Sequence, residues 1–101
     1  MLVLQIAVGQ TVDLNSPKAR IHVTLADIDY QVMKAAIQVT NAEMAELVLL
    51  GVGERFTFVY ENERITLVLE RIRSSSNPRC VIAFDASHLW RRAQPVSQVG
   101  N

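Results

Sequence analysis

The chain has little of what marks many specialised proteins. It holds one cysteine, Cys80, among 101 residues. A lone cysteine forms no internal disulfide and no cysteine-rich metal site, and it fits a reducing, cytoplasmic setting. Apolar runs are short, as at Leu47 to Leu50. None approaches the roughly 20 residues that span a bilayer as a helix. The first residues carry no basic stretch ahead of a long apolar core, so no secretory signal is expected. Glycine is scarce, at four residues, and forms no phosphate-cradling loop. Charge of one sign is missing too: ten basic side chains balance ten acidic ones. Disorder is excluded by the other half of the composition, which is 50% hydrophobic and only 20% charged.

What is there is a repetition. Leu2-Val3-Leu4, Val8-Gly9-Gln10, Arg20-Ile21-His22-Val23-Thr24-Leu25 and Ile37-Gln38-Val39-Thr40 occur in that order. Leu47-Val48-Leu49, Val52-Gly53-Glu54, Arg64-Ile65-Thr66-Leu67-Val68-Leu69 and Ile82-Ala83-Phe84-Asp85 follow at offsets of 44 or 45. A unit of that length is too short to bury a core alone. Two copies, residues 1–46 and 47–93, therefore read as one domain over 1–93, a covalent version of a homodimer. Residues 94–101 hold few anchors and are expected as a flexible tail.

Alternation of apolar and polar residues is the dominant pattern, and it predicts strands. Met1 to Ala7 opens the chain, and Thr11 to Leu14 suggests a short second strand. Asn15-Ser16-Pro17 reads as a turn. Arg20 to Ala26 places Ile21, Val23 and Leu25 on one face. Asp27 to Val39 fits either a helical or a strand period; the repeat favours a connection over Asp27 to Gln31 and a strand over Val32 to Val39. Asn41 to Glu46 reads as a connection with one helical turn. In the second half, strands are expected at Leu47 to Leu50, Arg55 to Tyr60, Arg64 to Ile72 and Arg79 to Phe84. Ser87 to Arg92 fits a short strand or a helical turn capped by Ser87. The sum is a mostly β, compact antiparallel domain of eight or nine short strands, with strands exchanged between the halves.

The order of these pieces resembles the carbon storage regulator family. Its members are small five-stranded homodimers with interlocked chains. Their sequences begin Met-Leu-aliphatic-Leu, continue with Val-Gly-Glu and an alternating strand, and end a later strand in Ile-Gly-Val-Asn-Ala. Met1-Leu2-Val3-Leu4, Val8-Gly9-Gln10-Thr11, Val52-Gly53-Glu54, Arg64 to Leu69 and Val81-Ile82-Ala83-Phe84-Asp85-Ala86 carry the likeness. The resemblance implies a single-chain pseudo-dimer that binds GGA-type RNA elements and regulates translation. In the family, the RNA surface joins the first strand of one subunit to the last strand of the other. It uses basic residues after the opening Leu-x-Leu and a Val-His-Arg segment in the final strand. This chain departs from that pattern: Gln5, Ile6 and Ala7 follow Leu4, and Leu50, Gly51 and Val52 follow Leu49. Only His88-Leu89-Trp90-Arg91-Arg92 offers a comparable final segment.

Charge distribution points to the same half. Residues 1–50 hold three basic and five acidic side chains, and residues 51–101 hold seven and five. Between 71 and 92 stand Arg71, Arg73, Arg79, Arg91 and Arg92 against Asp85 alone. Guanidinium groups pair with phosphate and base edges, and an indole stacks on an exposed base. The candidate nucleic-acid-binding residues are therefore Arg91, Arg92, His88 and Trp90, with Arg71, Arg73 and Arg79 as electrostatic support. The competing explanation is a solvated rim with Trp90 packed on the core. His22 and His88 have no nearby cysteine or paired carboxylates, so no metal or other cofactor is expected. Cys80 reads as a small core residue. No acid–base pair or nucleophile stands out, and an enzyme is not expected. Two functions remain: an RNA-binding regulator, or a relative that lost the RNA surface and binds a protein or itself through strand edges.

Overall fold

The computed structural model describes residues 2–15, 20–60, 62–73, 76–85 and 90–91. Nine strands follow one another: β1 (Leu2–Ala7), β2 (Thr11–Asn15), β3 (Arg20–Asp29), β4 (Lys34–Thr40), β5 (Ala45–Gly51), β6 (Arg55–Tyr60), β7 (Glu63–Arg73), β8 (Arg79–Asp85) and β9 (Trp90–Arg91). They form two antiparallel sheets. Sheet I has the order β1-β8-β7-β6, and sheet II the order β5-β4-β3-β2-β9. Inward residues of both sheets make one buried cluster, including Ile6, Ile65, Leu67, Ile82 and Phe84 from sheet I and Leu14, Ile21, Val23 and Ile37 from sheet II. Burying each such side chain contributes roughly 1.5–3 kcal/mol. Among the described residues no helix is long and apolar enough to cross a membrane.

Chain connectivity crosses between the sheets. β1 leaves the strands that follow it and pairs with β8, in register Leu4↔Ile82 and Ile6↔Cys80. β5, at the start of the second half, pairs with β4, in register Val48↔Ile37 and Leu50↔Ala35. The pairings of one sheet reappear in the other when 44 is added, or 45 for β4 and β8. Leu14↔Ile21 becomes Phe58↔Ile65. Leu25↔Ile37 becomes Leu69↔Ile82. The extra residue falls in the connection between β7 and β8.

Two matched devices explain why β3 and β7 run longer than simple alternation allows. Each carries a bulge, between Leu25 and Asp27 and between Leu69 and Arg71. A bulge inserts one residue and switches the face of everything after it. Ile28 and Ile72 therefore stay on the core side, although each lies three residues beyond the last inward leucine. The first correction to the alternation reading follows: β3 continues to Asp29, the turn occupies Tyr30 to Met33, and β4 starts at Lys34. The Val-Gly turns hold the bulges in place. Gly9 N–H donates to the Leu25 carbonyl and Gly53 N–H to the Leu69 carbonyl, each at 2.7 Å. The φ angles of Gly9 and Gly53 are 88° and 87°, a region that side chains disfavour. The Gln10 and Glu54 side chains accept from Ala7 N–H and Gly51 N–H and close each turn.

A second correction concerns the opening triplets. Leu2-Val3-Leu4 and Leu47-Val48-Leu49 look equivalent, yet the register aligns Leu4 with Val48 and Ile6 with Leu50. A one-residue slip exchanges the faces of a strand. Leu47 and Leu49 accordingly point outward, 62% and 63% exposed, while Leu50 is buried. A third concerns Asn41 to Glu46, which holds no helical turn. The Asn41 side chain accepts from Glu43 N–H and Met44 N–H, and β5 begins at Ala45. The expected tail at 94–101 lies outside the described residues.

Candidate nucleic-acid interface

Three of the seven sequence-derived site residues converge on the outer face of sheet I. Without the bulge after Leu69, alternation would aim Arg71 into the core with Leu67 and Leu69. The bulge turns Arg71 and Arg73 outward. Arg79 opens β8 directly opposite Arg73, and Arg71 lies opposite Val81. Cross-strand partners share a face, so the three guanidinium-bearing side chains form one corner. Arg71 is exposed, and Arg73 and Arg79 are half-buried. The Arg73 and Arg79 Nε atoms are buried without a hydrogen-bond partner among the described residues. The described contacts between acidic and basic side chains are His22–Asp13 and Lys34–Glu54, so no described acid lies within salt-bridge distance of this corner. Tyr30, from the turn of the other sheet, donates its hydroxyl to the Arg73 carbonyl at 2.7 Å.

Sheet II carries the opposite arrangement at the matching positions. Asp27, Asp29 and Lys34 stand where sheet I has Arg71, Arg73 and Arg79. Asp29 faces Lys34 across the strands, an opposite-charge pairing, whereas Arg73 faces Arg79, a like-charge pairing that costs stability.

The remaining candidates fall elsewhere. β9 lies on β2, with Trp90 opposite Asn15 and Arg91 opposite Leu14. It edges sheet II, while the arginine corner belongs to sheet I. His88 and Arg92 lie outside the described residues. β1 ends sheet I, and Val3 and Gln5 are exposed there. Cys80 is fully buried, and burial pushes its thiol from 9.0 up to about 11. It is thus a protonated core residue at neutral pH. His22 Nδ1 lies 2.6 Å from Asp13 Oδ1 on the outer face of sheet II. The matching pair in sheet I is Thr57 and Thr66, whose hydroxyls are 2.8 Å apart. Among the described residues no group of three or more His, Cys, Asp or Glu is placed to hold a metal ion.

Sequence reasoning put Arg71 and Arg73 on one face but missed that Arg79 lies directly across from Arg73. The signal was the turn length: with strand ends at Arg73 and Arg79, the hairpin pairs those two residues. It also missed the outward leucines Leu47 and Leu49. No protein-family model, curated protein or solved structure matches the chain.

Proposed function

We propose that the chain is a single-chain pseudo-dimer of the carbon storage regulator type that binds RNA and regulates translation. One observation carries the reading: each sheet is completed by the opening strand of the other half. β1 joins β8-β7-β6, and β5 joins β4-β3-β2, with matching registers. An interlocked homodimer fused into one chain has this connectivity. The surface between a first strand and a last strand, which the resemblance implies, is then available once. β9 is the final strand of the second half, and only four residues separate β4 from β5, too few for a counterpart in the first half. The RNA surface is therefore lopsided, built from Arg91, Trp90, His88 and Arg92, with Arg71, Arg73 and Arg79 drawing in phosphates.

A gel shift with GGA-containing hairpins across a salt series tests this reading. Binding that weakens steeply with salt is expected. Absence of binding at low micromolar protein and low salt contradicts it.

A second reading, a protein-interaction module, has its own support. Where the resemblance implies basic side chains, the opening strands present Gln5 and Leu49, with the exposed Val3 and Leu47 beside them. Exposed apolar edges invite a further strand. A pull-down that returns a protein and no RNA favours this reading over the first.

A further inference from the structure

The arginine corner has a feature that general attraction to a polyanion does not require. A solvated cationic rim keeps its guanidinium N–H groups in water. Here the Nε atoms of both Arg73 and Arg79 are out of water and have no described acceptor. Buried donors in folded proteins nearly always have a partner, and an orphan is destabilising. The two side chains are also direct cross-strand neighbours, so their charges add at one place. Arg71 stands beside them on the same face. On the β1 side the adjoining residue is Ala7, which brings neither charge nor a side-chain acceptor. At the matching position sheet II sets opposite charges face to face, Asp29 and Lys34, and each has a described partner: Asp29 Oδ1 accepts from Gln31 N–H, and Lys34 pairs with Glu54.

We propose that Arg73 and Arg79, flanked by Arg71, form a phosphate-binding site in which a swing of the two half-buried side chains uncovers their Nε–H groups and lets them donate to oxygens of one phosphoryl group. A tetrahedral dianion or a phosphodiester offers acceptors in the spacing that paired guanidinium forks match. It supplies the missing hydrogen-bond acceptors and offsets the like-charge repulsion together. Assigning the phosphate to an RNA backbone rests on the RNA reading above; the anion site itself does not. It lies on a sheet different from the one that β9 edges, so it adds a phosphate contact away from Trp90 and Arg91.

The test follows the arginine Nε–H resonances of the full chain by NMR during titration with inorganic phosphate, with ionic strength held constant by chloride. Saturable shifts of Arg73 and Arg79, with the exposed Arg20 and Arg64 unmoved, are expected. No saturable shift, or equal shifts at all four arginines, overturns the site. A second arm compares R73Q plus R79Q with R20Q plus R64Q for binding to a GGA hairpin across a salt series. A slope flattened by about 0.7 per lost phosphate contact in the first pair alone identifies the ligand as RNA backbone. Phosphate shifts with an unchanged RNA slope assign the site to free phosphate or a phosphorylated small molecule. Phosphate shifts with no RNA binding at all leave the site standing and remove the RNA reading.

Discussion

Sheet I and sheet II share pairings, bulges and turns, yet their outer corners differ in charge. Arg71, Arg73 and Arg79 occupy one, and Asp27, Asp29 and Lys34 the other. Their far edges differ as well. In sheet II, β2 is flanked by β9, and its inward Val12 and Leu14 are fully buried. In sheet I, no described strand flanks β6, and the matching positions hold Phe56 and Phe58, stacked with centroids 5.7 Å apart. The larger rings thus stand in the strand that no described neighbour flanks, with Phe58 buried and Phe56 packed against the core. The contrast separates two kinds of constraint. Inward alternation, the Val-Gly turns and the bulges decide the pairings and are held in common. Outward positions carry no such constraint and differ between the sheets, and the candidate function lies there.

Removing matched inward residues sharpens the comparison most. Ile21→Ala and Ile65→Ala each delete a fully buried side chain at corresponding places. Each should cost about 2–5 kcal/mol, and similar losses in denaturant melts are expected. A large effect in one sheet and a small one in the other would break the equivalence. Cys80 has Ala35 as its counterpart, so titration touches sheet I alone. Its thiol is raised from 9.0 to about 11 in the fold. The folded state holds this proton more tightly than the unfolded chain does. That stability is complete below pH 9 and is lost as pH rises through 11, up to about 2–3 kcal/mol. Unfolding followed from pH 8 to 11 should show the loss, and Cys80→Ala should remove it.

The turns come next in size. Gly9→Ala and Gly53→Ala meet open space but impose a positive φ on a side chain. About 1–2 kcal/mol each is expected, equal in the two sheets, measured by thermal unfolding. The smallest effect separates the outward polar pairs. Asp13→Ala and Thr57→Ala break the Asp13–His22 and Thr57–Thr66 contacts on partly exposed surface. Each should change stability by less than about 1 kcal/mol. A larger loss in either would show that outward positions constrain the fold after all.

Much of the fold was legible because alternation is a direct imprint of a half-buried strand. Arg55 to Tyr60 and Arg79 to Phe84 matched to within a residue. Legibility failed at the bulges, where an inserted residue breaks the period while the strand continues, as at Asp27-Ile28-Asp29. It failed again at Leu47-Val48-Leu49, where similar letters hide opposite faces. Of the site, the same-face relation of Arg71 and Arg73 was readable from spacing. The facing of Arg73 and Arg79 depended on where β7 ends: alternation stops it at Ile72, whereas the strand runs to Arg73 and the hairpin then pairs the two arginines.

The central claim is that the opening strand of each half completes the sheet of the other. Backbone NOEs from β1 test it most directly, because β1 is remote in sequence from β8. Contacts of Leu4 with Ile82 and of Ile6 with Cys80, and none from β1 to β4, are the predicted result. Contacts from Leu4 and Ile6 to Ile37 and Ala35 along a β1–β4 ladder would mean that each half folds on itself, contradicting the account.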